Sequence, residues 1–313
     1  MDTLSKLLSL HPVRTALTIR CQLGAPWRIE HAAMPAGVVP YHLIVRGGAW
    51  LDMDDGTGQR VELQAGDIVL FPHGGAHRIA THDADAATAL PQIVDGQHLL
   101  TLKRTDGAGP ASTILCGEFT FEGGAGDRLL ASLPPLVHIR TAARDDFAGL
   151  RSLIAMLQVE AETDRPGAEL VLSQLASALF ALIMRAWLEQ AAATPGLFAL
   201  LSERRLHGAV LGMMASPHED WTLPRMADAC HMSRATFARL FSRTAGMTPA
   251  TLLLHTRMAS AAALLARGRQ AVADVGMAVG YQSEAAFNRA FKKATGMGPG
   301  QYRRARRLEA PPA

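Results

Sequence analysis

Three kinds of side chain in this sequence have chemistry beyond packing. The first is sulfur. Cys21, Cys116 and Cys230 stand far apart, with no CxxC pair of the kind that grips zinc. In a reducing compartment Cys21 and Cys116 are thiols, free to become sulfenic acid or to enter a disulfide when an oxidant arrives. The plainer reading of any one cysteine is a small buried hydrophobe, and Cys230, at a helix-core position matching Val279, is read that way. The second is imidazole: His42, His73 and His77 could converge, and three imidazoles can hold zinc or iron. The third is guanidinium: Arg239 and Arg289 recur at one offset, and arginine pairs bidentately with guanine.

Those arginines must be positioned by a repeat. The stretch WTLPRMADACHMSRATFARLFSRTAGMTP, Trp221 to Pro249, returns in weaker form as AVADVGMAVGYQSEAAFNRAFKKATGMGP. Ser233 and Ser283, Phe237 and Phe287, Phe241 and Phe291, Gly246 and Gly296, Met247 and Met297, and Pro249 and Pro299 correspond, as the two arginines do. A repeat of this length is one supersecondary unit used twice. In the first copy Leu223, Met226, Ala227 and Cys230 recur at helical spacing, and Ser233 caps a second helix that buries Phe237, Leu240 and Phe241. Gly246 ends that helix and Pro249 prevents its continuation. In the second copy Val272, Val275, Gly276 and Val279 make the first helix, and the turn Gly280-Tyr281-Gln282 before Ser283 is one residue longer. Two helices joined so tightly form a helix-turn-helix, whose second helix can enter a major groove. With the phenylalanines inward, Arg234, Ala235, Ala238 and Arg239 point outward, as do Glu284, Ala285, Asn288 and Arg289. A lone arginine there would be a surface charge; the repeated one reads as part of a recognition face.

Charge agrees. Residues 204–307 hold sixteen Lys or Arg against five Asp or Glu, a net of +11, while the remainder holds fifteen against twenty-three, a net of −8. A polyanion partner for the basic end follows, bound with steep salt dependence. Arg303, Arg304, Arg306 and Arg307 in the tail suit phosphate contacts, or a solvated basic tail.

The doubled helix-turn-helix, with Gly-Met-x-Pro closing each copy and Gly280-Tyr281 before the second recognition helix, resembles the AraC/XylS family of bacterial transcription regulators over residues 204–307. The resemblance implies seven helices in two subdomains, Leu252 to Ala266 as the helix joining them, and one recognition helix for each of two successive major grooves. Carried onto this chain, it gives a DNA-facing set of Arg234, Ala235, Thr236, Ala238, Arg239, Glu284, Ala285, Asn288, Arg289 and Lys292. The alanines at 235 and 238 leave the first helix less hydrogen bonding than many members have.

Residues 10–122 carry short strand-like runs separated by Gly, Pro and Asp turns, which favours a barrel or sandwich. Within them LQAGDIVLFPHGGAH, Leu63 to His77, resembles the second motif of the cupin barrel. The first cupin motif normally offers two histidines one residue apart and a later glutamate. Here His42 stands alone, with Ile44 where the second histidine would be. The reading therefore assigns no metal, no cofactor and no enzymatic turnover, and expects a packed sensor barrel. Residues 81–112 read as a long loop with a short strand at Gln97 to Leu102. From Asp145 to Ala193 the pattern is helical. The apolar surplus of its second helix suits either the core or a dimer seam. The charge-free part of that helix, Leu170 to Met184, falls short of a membrane span, and the N-terminus lacks a secretory signal pattern, so a cytoplasmic protein without a membrane partner is expected. The expected class is α+β: a cupin-like sensor barrel over residues 1–144, a helical linker or dimerisation segment over 145–196, and an all-α double helix-turn-helix domain over 204–307.

A closer resemblance rests on MDTLSKLLSL with Cys21 at its distance, the single His42 before Gly47, the GDIVLFP run, Cys116-Gly117, and the helical segment ending in Trp187. Together these look like the AraC-type regulators that respond to reactive chlorine species such as hypochlorite. The resemblance implies that Cys21 and Cys116 are the oxidant-sensitive pair, and that the partners are double-stranded promoter DNA, RNA polymerase and a second copy of the chain. The alternative within the same family is a regulator gated by a small molecule or metal in the barrel.

Overall fold

The structure is a computed structural model describing residues 2–10, 13–54, 60–81, 90, 92–94, 99–121, 127–142, 144–163, 165–190, 195–268 and 270–309. After a short helix α1 (Thr3–Leu10) come the strands β1 (Val13–Gly24), β2 (Arg28–His31), β3 (Val38–Arg46), β4 (Gly48–Met53), β5 (Arg60–Gln64), β6 (Ile68–Leu70), β7 (His77–Ala80), β8 (Gln92–Val94), β9 (Thr101–Asp106) and β10 (Ala111–Phe121). A short helix α2 (Asp127–Ala131) and strand β11 (Val137–Ile139) lead to the helices α3 (Ala148–Glu162) and α4 (Ala168–Gln190). Helices α5 (Leu197–Ser202), α6 (His207–Ala215), α7 (Leu223–Asp228), α8 (Arg234–Ala245), α9 (Pro249–Arg267), α10 (Val272–Ala278), α11 (Glu284–Thr295) and α12 (Pro299–Glu309) complete the chain.

The described residues fall into two compact units. One is made from residues 13–190; α1 and the residues from 195 onward make the other. Residues 1–12, expected with the barrel, instead supply α1, which packs on α6 and α9 of the helical unit with Leu7 buried. The segment 145–196, expected as a helical linker or dimerisation segment, supplies α3 and α4, which belong to the β-rich unit. Residues 191–194 of that proposed linker lie outside the described residues.

In the first unit a seven-stranded sheet, ordered β11-β6-β3-β10-β1-β9-β8, meets a four-stranded sheet, ordered β2-β7-β4-β5. Strand β3 (VVPYHLIVR) is central and nearly continuously apolar, and it is buried along both faces from Val39 to Ile44. Cys21, Leu23, Ile44, Val69, Ile114 and Cys116 from the larger sheet pack with Ile29, Leu51, Leu63 and Ile79 from the smaller one, around Trp27 and Phe71. Burying such side chains contributes about 1.5–3 kcal/mol each, so this shared core holds the two sheets face to face. Cys21 lies within β1. The stretch read as a loop contains β8 and β9; β9 runs parallel to β1, a pairing that adjacent-strand reasoning does not suggest.

Helix α4 runs 23 residues, Ala168–Gln190, beyond its charge-free part. By length and composition alone the whole helix could cross a membrane, which its charge-free part, Leu170 to Met184, is too short to do. Its inner side packs on α3 and β1: Leu172, Ala176, Leu179, Phe180 and Ile183 are buried, and the Phe180 ring sits 4.9 Å from that of Phe119. Leu170 and Val171 on its first turns are exposed.

In the helical unit the repeat folds as two helix-turn-helices. Ser233 and Ser283 each accept a backbone N–H, from Thr236 and Ala286, and left-handed Gly246 and Gly296 close α8 and α11. Phe237 with Phe241 and Phe287 with Phe291 have the same 5.6 Å ring separation. The extra turn residue of the second copy is located by the backbone. Met232 N–H bonds Ala227 C=O and Tyr281 N–H bonds Gly276 C=O, while left-handed His231 and Gly280 occupy matching places. The two first helices therefore align one residue short of the recognition helices, and Gln282 is the insertion.

Candidate functional site

On α8, Phe237, Leu240 and Phe241 turn inward, leaving Arg234, Ala235, Thr236 and Arg239 exposed and Ala238 half-buried. On α11, Phe287 and Phe291 turn inward, leaving Glu284, Ala285, Arg289 and Lys292 exposed. Asn288 is half-buried, and its side-chain oxygen is shielded without a hydrogen-bond partner. Among the described residues Arg234, Arg239, Arg289 and Lys292 form no ion pair, so their positive charge is left for a partner. Other arginines are committed within the unit: Arg257 donates to the carbonyls of Pro217 and Glu219, and Arg303 to that of Gln270.

In the barrel unit, β1 and β10 pair antiparallel with Cys21 opposite Ile114 and Cys116 opposite Ile19. The two cysteines are thus diagonal neighbours on one face, packed in the same core. Both are buried. In such a pair the thiol that accepts the other's hydrogen ionises first. The Cys116 thiol, donating, pulls the Cys21 thiol below its usual range against the cost of burial, and the Lys103 ammonium adds to this. Cys116 is correspondingly pushed up. Lys103, opposite Cys21 in the parallel ladder, fell in the stretch read as loop, so its part in the site was not visible beforehand. Cys230 is buried in the helical unit, far along the chain from both.

The imidazole expectation is half right. His42 and His77 meet, Nε2 to Nε2 at 2.8 Å, but His73 turns away and donates from Nε2 to the carbonyl of Leu130. The third ring is His31, which the sequence reading passed over. It stacks on His77 with centroids 4.6 Å apart and lies 4.5 Å from His42. The available signal was the run Arg28-Ile29-Glu30-His31, but only the β2–β7 register, which places His31 opposite His77, turns it into a site. Burial holds all three rings unprotonated: His31 is pulled down to about 3 and His77 to about 4, and His42, enclosed completely, falls well below its usual value. His42 in turn sits opposite Cys116 in the β3–β10 ladder.

The comparisons with known proteins cover both units. Residues 2–189 match the family model described as Cupin, and residues 226–305 match the one described as Helix-turn-helix domain. An uncharacterized HTH-type transcriptional regulator of Haemophilus influenzae is 31% identical over 304 residues, 97% of this chain and 99% of the relative. The RCS-specific HTH-type transcriptional activator RclR of Escherichia coli K12 is 31% identical over 312 residues, 99% of this chain and all of the relative. The chain belongs to the AraC-type helix-turn-helix transcriptional regulators with an N-terminal cupin domain. It is a DNA-binding transcriptional regulator. Among solved structures, the DNA-binding domain of AdpA in complex with a target DNA aligns at 28% identity with a TM-score of 0.33, over 35% of this chain and 97% of that one.

Proposed function

We propose that this regulator is an activator switched by oxidation of Cys21 and Cys116, with α8 and α11 as its two DNA-reading helices. The observation that carries the switch is the diagonal placement of the two buried cysteines across the β1–β10 ladder. The name of the relative RclR, RCS-specific, supports a reactive chlorine species as the oxidant. The Cys21 thiolate attacks the chlorine of hypochlorous acid, forming a sulfenyl chloride and releasing hydroxide. The Cys116 sulfur then attacks the Cys21 sulfur, expelling chloride and losing its proton. Two thiols are oxidised by two electrons to one disulfide, and hypochlorous acid is reduced to chloride and water.

Diagonal neighbours on antiparallel strands stand about 7–8 Å apart at Cα, and a disulfide draws Cα atoms to about 4.4–6.8 Å. Closing the bond therefore pulls β1 against β10 by roughly an ångström, and the close-packed core around them transmits strain rather than absorbing it. On the DNA side, the exposed Arg239 and Arg289 suit base edges, and Arg234 and Lys292 suit phosphates. The working partners are promoter DNA, RNA polymerase and a second copy of the chain, in the cytoplasm where the chromosome lies. Its relatives are named as regulators, which favours signalling over turnover.

The test is footprinting upstream of the protein's own and neighbouring genes, with a reporter on any protected promoter. Hypochlorite should switch the reporter with the wild type and not with the Cys21→Ser, Cys116→Ser double variant. Normal switching by that variant overturns the redox reading.

A further inference from the structure

We propose that His31, His42 and His77 form a binding site for one divalent transition-metal ion of the zinc class. The ligand atoms these three residues offer all lie within 4.8 Å of one another. They come from three strands, β2, β3 and β7, so the fold rather than a local motif brings them together. A carbonyl only accepts, so the 2.8 Å contact between His77 Nδ1 and the Gly75 carbonyl puts the ring hydrogen on Nδ1 and leaves the Nε2 lone pair facing His42. This is the arrangement by which proteins orient a ligating histidine, with one nitrogen anchored to a carbonyl and the other presented to the ion.

The remaining rings are short of partners. His31 Nε2 and His42 Nδ1 are shielded from solvent with no hydrogen bond. A buried polar atom left so costs about 1–3 kcal/mol, and a metal ion relieves such a cost. Zinc–imidazole bonds are about 2.0–2.1 Å, so two nitrogens on one tetrahedral ion stand about 3.3 Å apart. The Nε2 atoms of His42 and His77 are a little closer than that and the widest spacing in the trio is somewhat farther, a mismatch within reach of side-chain rotation.

An entry path exists. A cleft of about 570 Å³ opens onto His31 and His77, lined also by Glu30, Asp54 and the ion pair of Asp52 with Arg78. Three neutral nitrogen donors suit zinc, cobalt, nickel or copper over magnesium or calcium, which take oxygen. The donor set also departs from the two closely spaced histidines and glutamate of the first cupin motif. His31, upstream of that motif, takes the place that Ile44 cannot fill.

The experiment measures metal content of the full-length chain by inductively coupled plasma mass spectrometry, after incubation with zinc or cobalt(II) and gel filtration. Circular dichroism monitors the fold of each variant. The wild type should retain one ion per chain, and X-ray absorption should show imidazole nitrogen around it. His31→Gln and His77→Gln should each lower affinity by roughly a hundredfold or more, while His73→Gln should retain the ion. The Cys21→Ser, Cys116→Ser variant should also retain it, which separates this site from the thiol pair and from the redox reading. Failure of the wild type to retain either ion, wild-type retention by folded His31→Gln, or loss of the ion in the cysteine variant overturns the assignment.

Discussion

Cys21 and Cys116 lie diagonally across the β1–β10 ladder, Cys21 opposite Ile114 and Cys116 opposite Ile19, both buried in one core. A diagonal pair is close enough to react and not yet close enough to be bonded without strand movement. Treatment with stoichiometric hypochlorite should therefore give one intramolecular disulfide between residues 21 and 116. Tryptic mass spectrometry without reduction checks this, and a dominant 21–230 or intermolecular linkage contradicts it.

The same pairing sets a pH dependence. The hydrogen bond from Cys116 and the charge of Lys103 favour the Cys21 thiolate, so alkylation of Cys21 should rise with pH through a midpoint below the ordinary 9.0 of a thiol. Removing the donor, in Cys116→Ala, should move that midpoint up. Cys116→Ser, which keeps a donor, should move it less. Rates of iodoacetamide labelling across pH, read at residue 21, decide this.

At the DNA face, base readers and phosphate contacts should separate by salt. Arg239→Ala and Arg289→Ala should each weaken binding to the cognate promoter by about 1–3 kcal/mol and relax discrimination at one base position. Lys292→Ala should weaken binding to all sequences alike and lower the slope of log K against log salt by about 1. Fluorescence anisotropy over a salt series, with cognate and scrambled duplexes, distinguishes the two.

The turns of the two repeats should respond oppositely to glycine. His231 has φ of 51° where the second copy has Gly280 at 90°, so both turns need left-handed backbone there. His231→Gly should leave stability unchanged or raise it by up to about 1 kcal/mol. Gly280→Ala should destabilise by more than that. Its Cβ would also come within 2.8 Å of the His218 carbonyl oxygen and 2.9 Å of the Arg257 guanidinium. Thermal unfolding of the two variants checks the contrast.

What the sequence determined by itself is local in range. The helix-turn-helix pair was legible because its caps, its Phe237 and Phe241 spacing and its closing glycines act within a dozen residues, and repetition made each signal count twice. The one-residue insertion was legible too, and the matched left-handed His231 and Gly280 place it at Gln282. What only tertiary structure decided is pairing between strands distant in the chain. Nothing near His31 or His77 specifies that they stand opposite each other, and nothing near Lys103 specifies a parallel strand beside Cys21. His73, expected beside His42 and His77, does not join them. It precedes the left-handed turn at Gly74 and bonds the Leu130 carbonyl, while His77 follows that turn in β7. Side chains in a sheet are neighbours by register, and register is settled by how two buried faces fit rather than by any one strand.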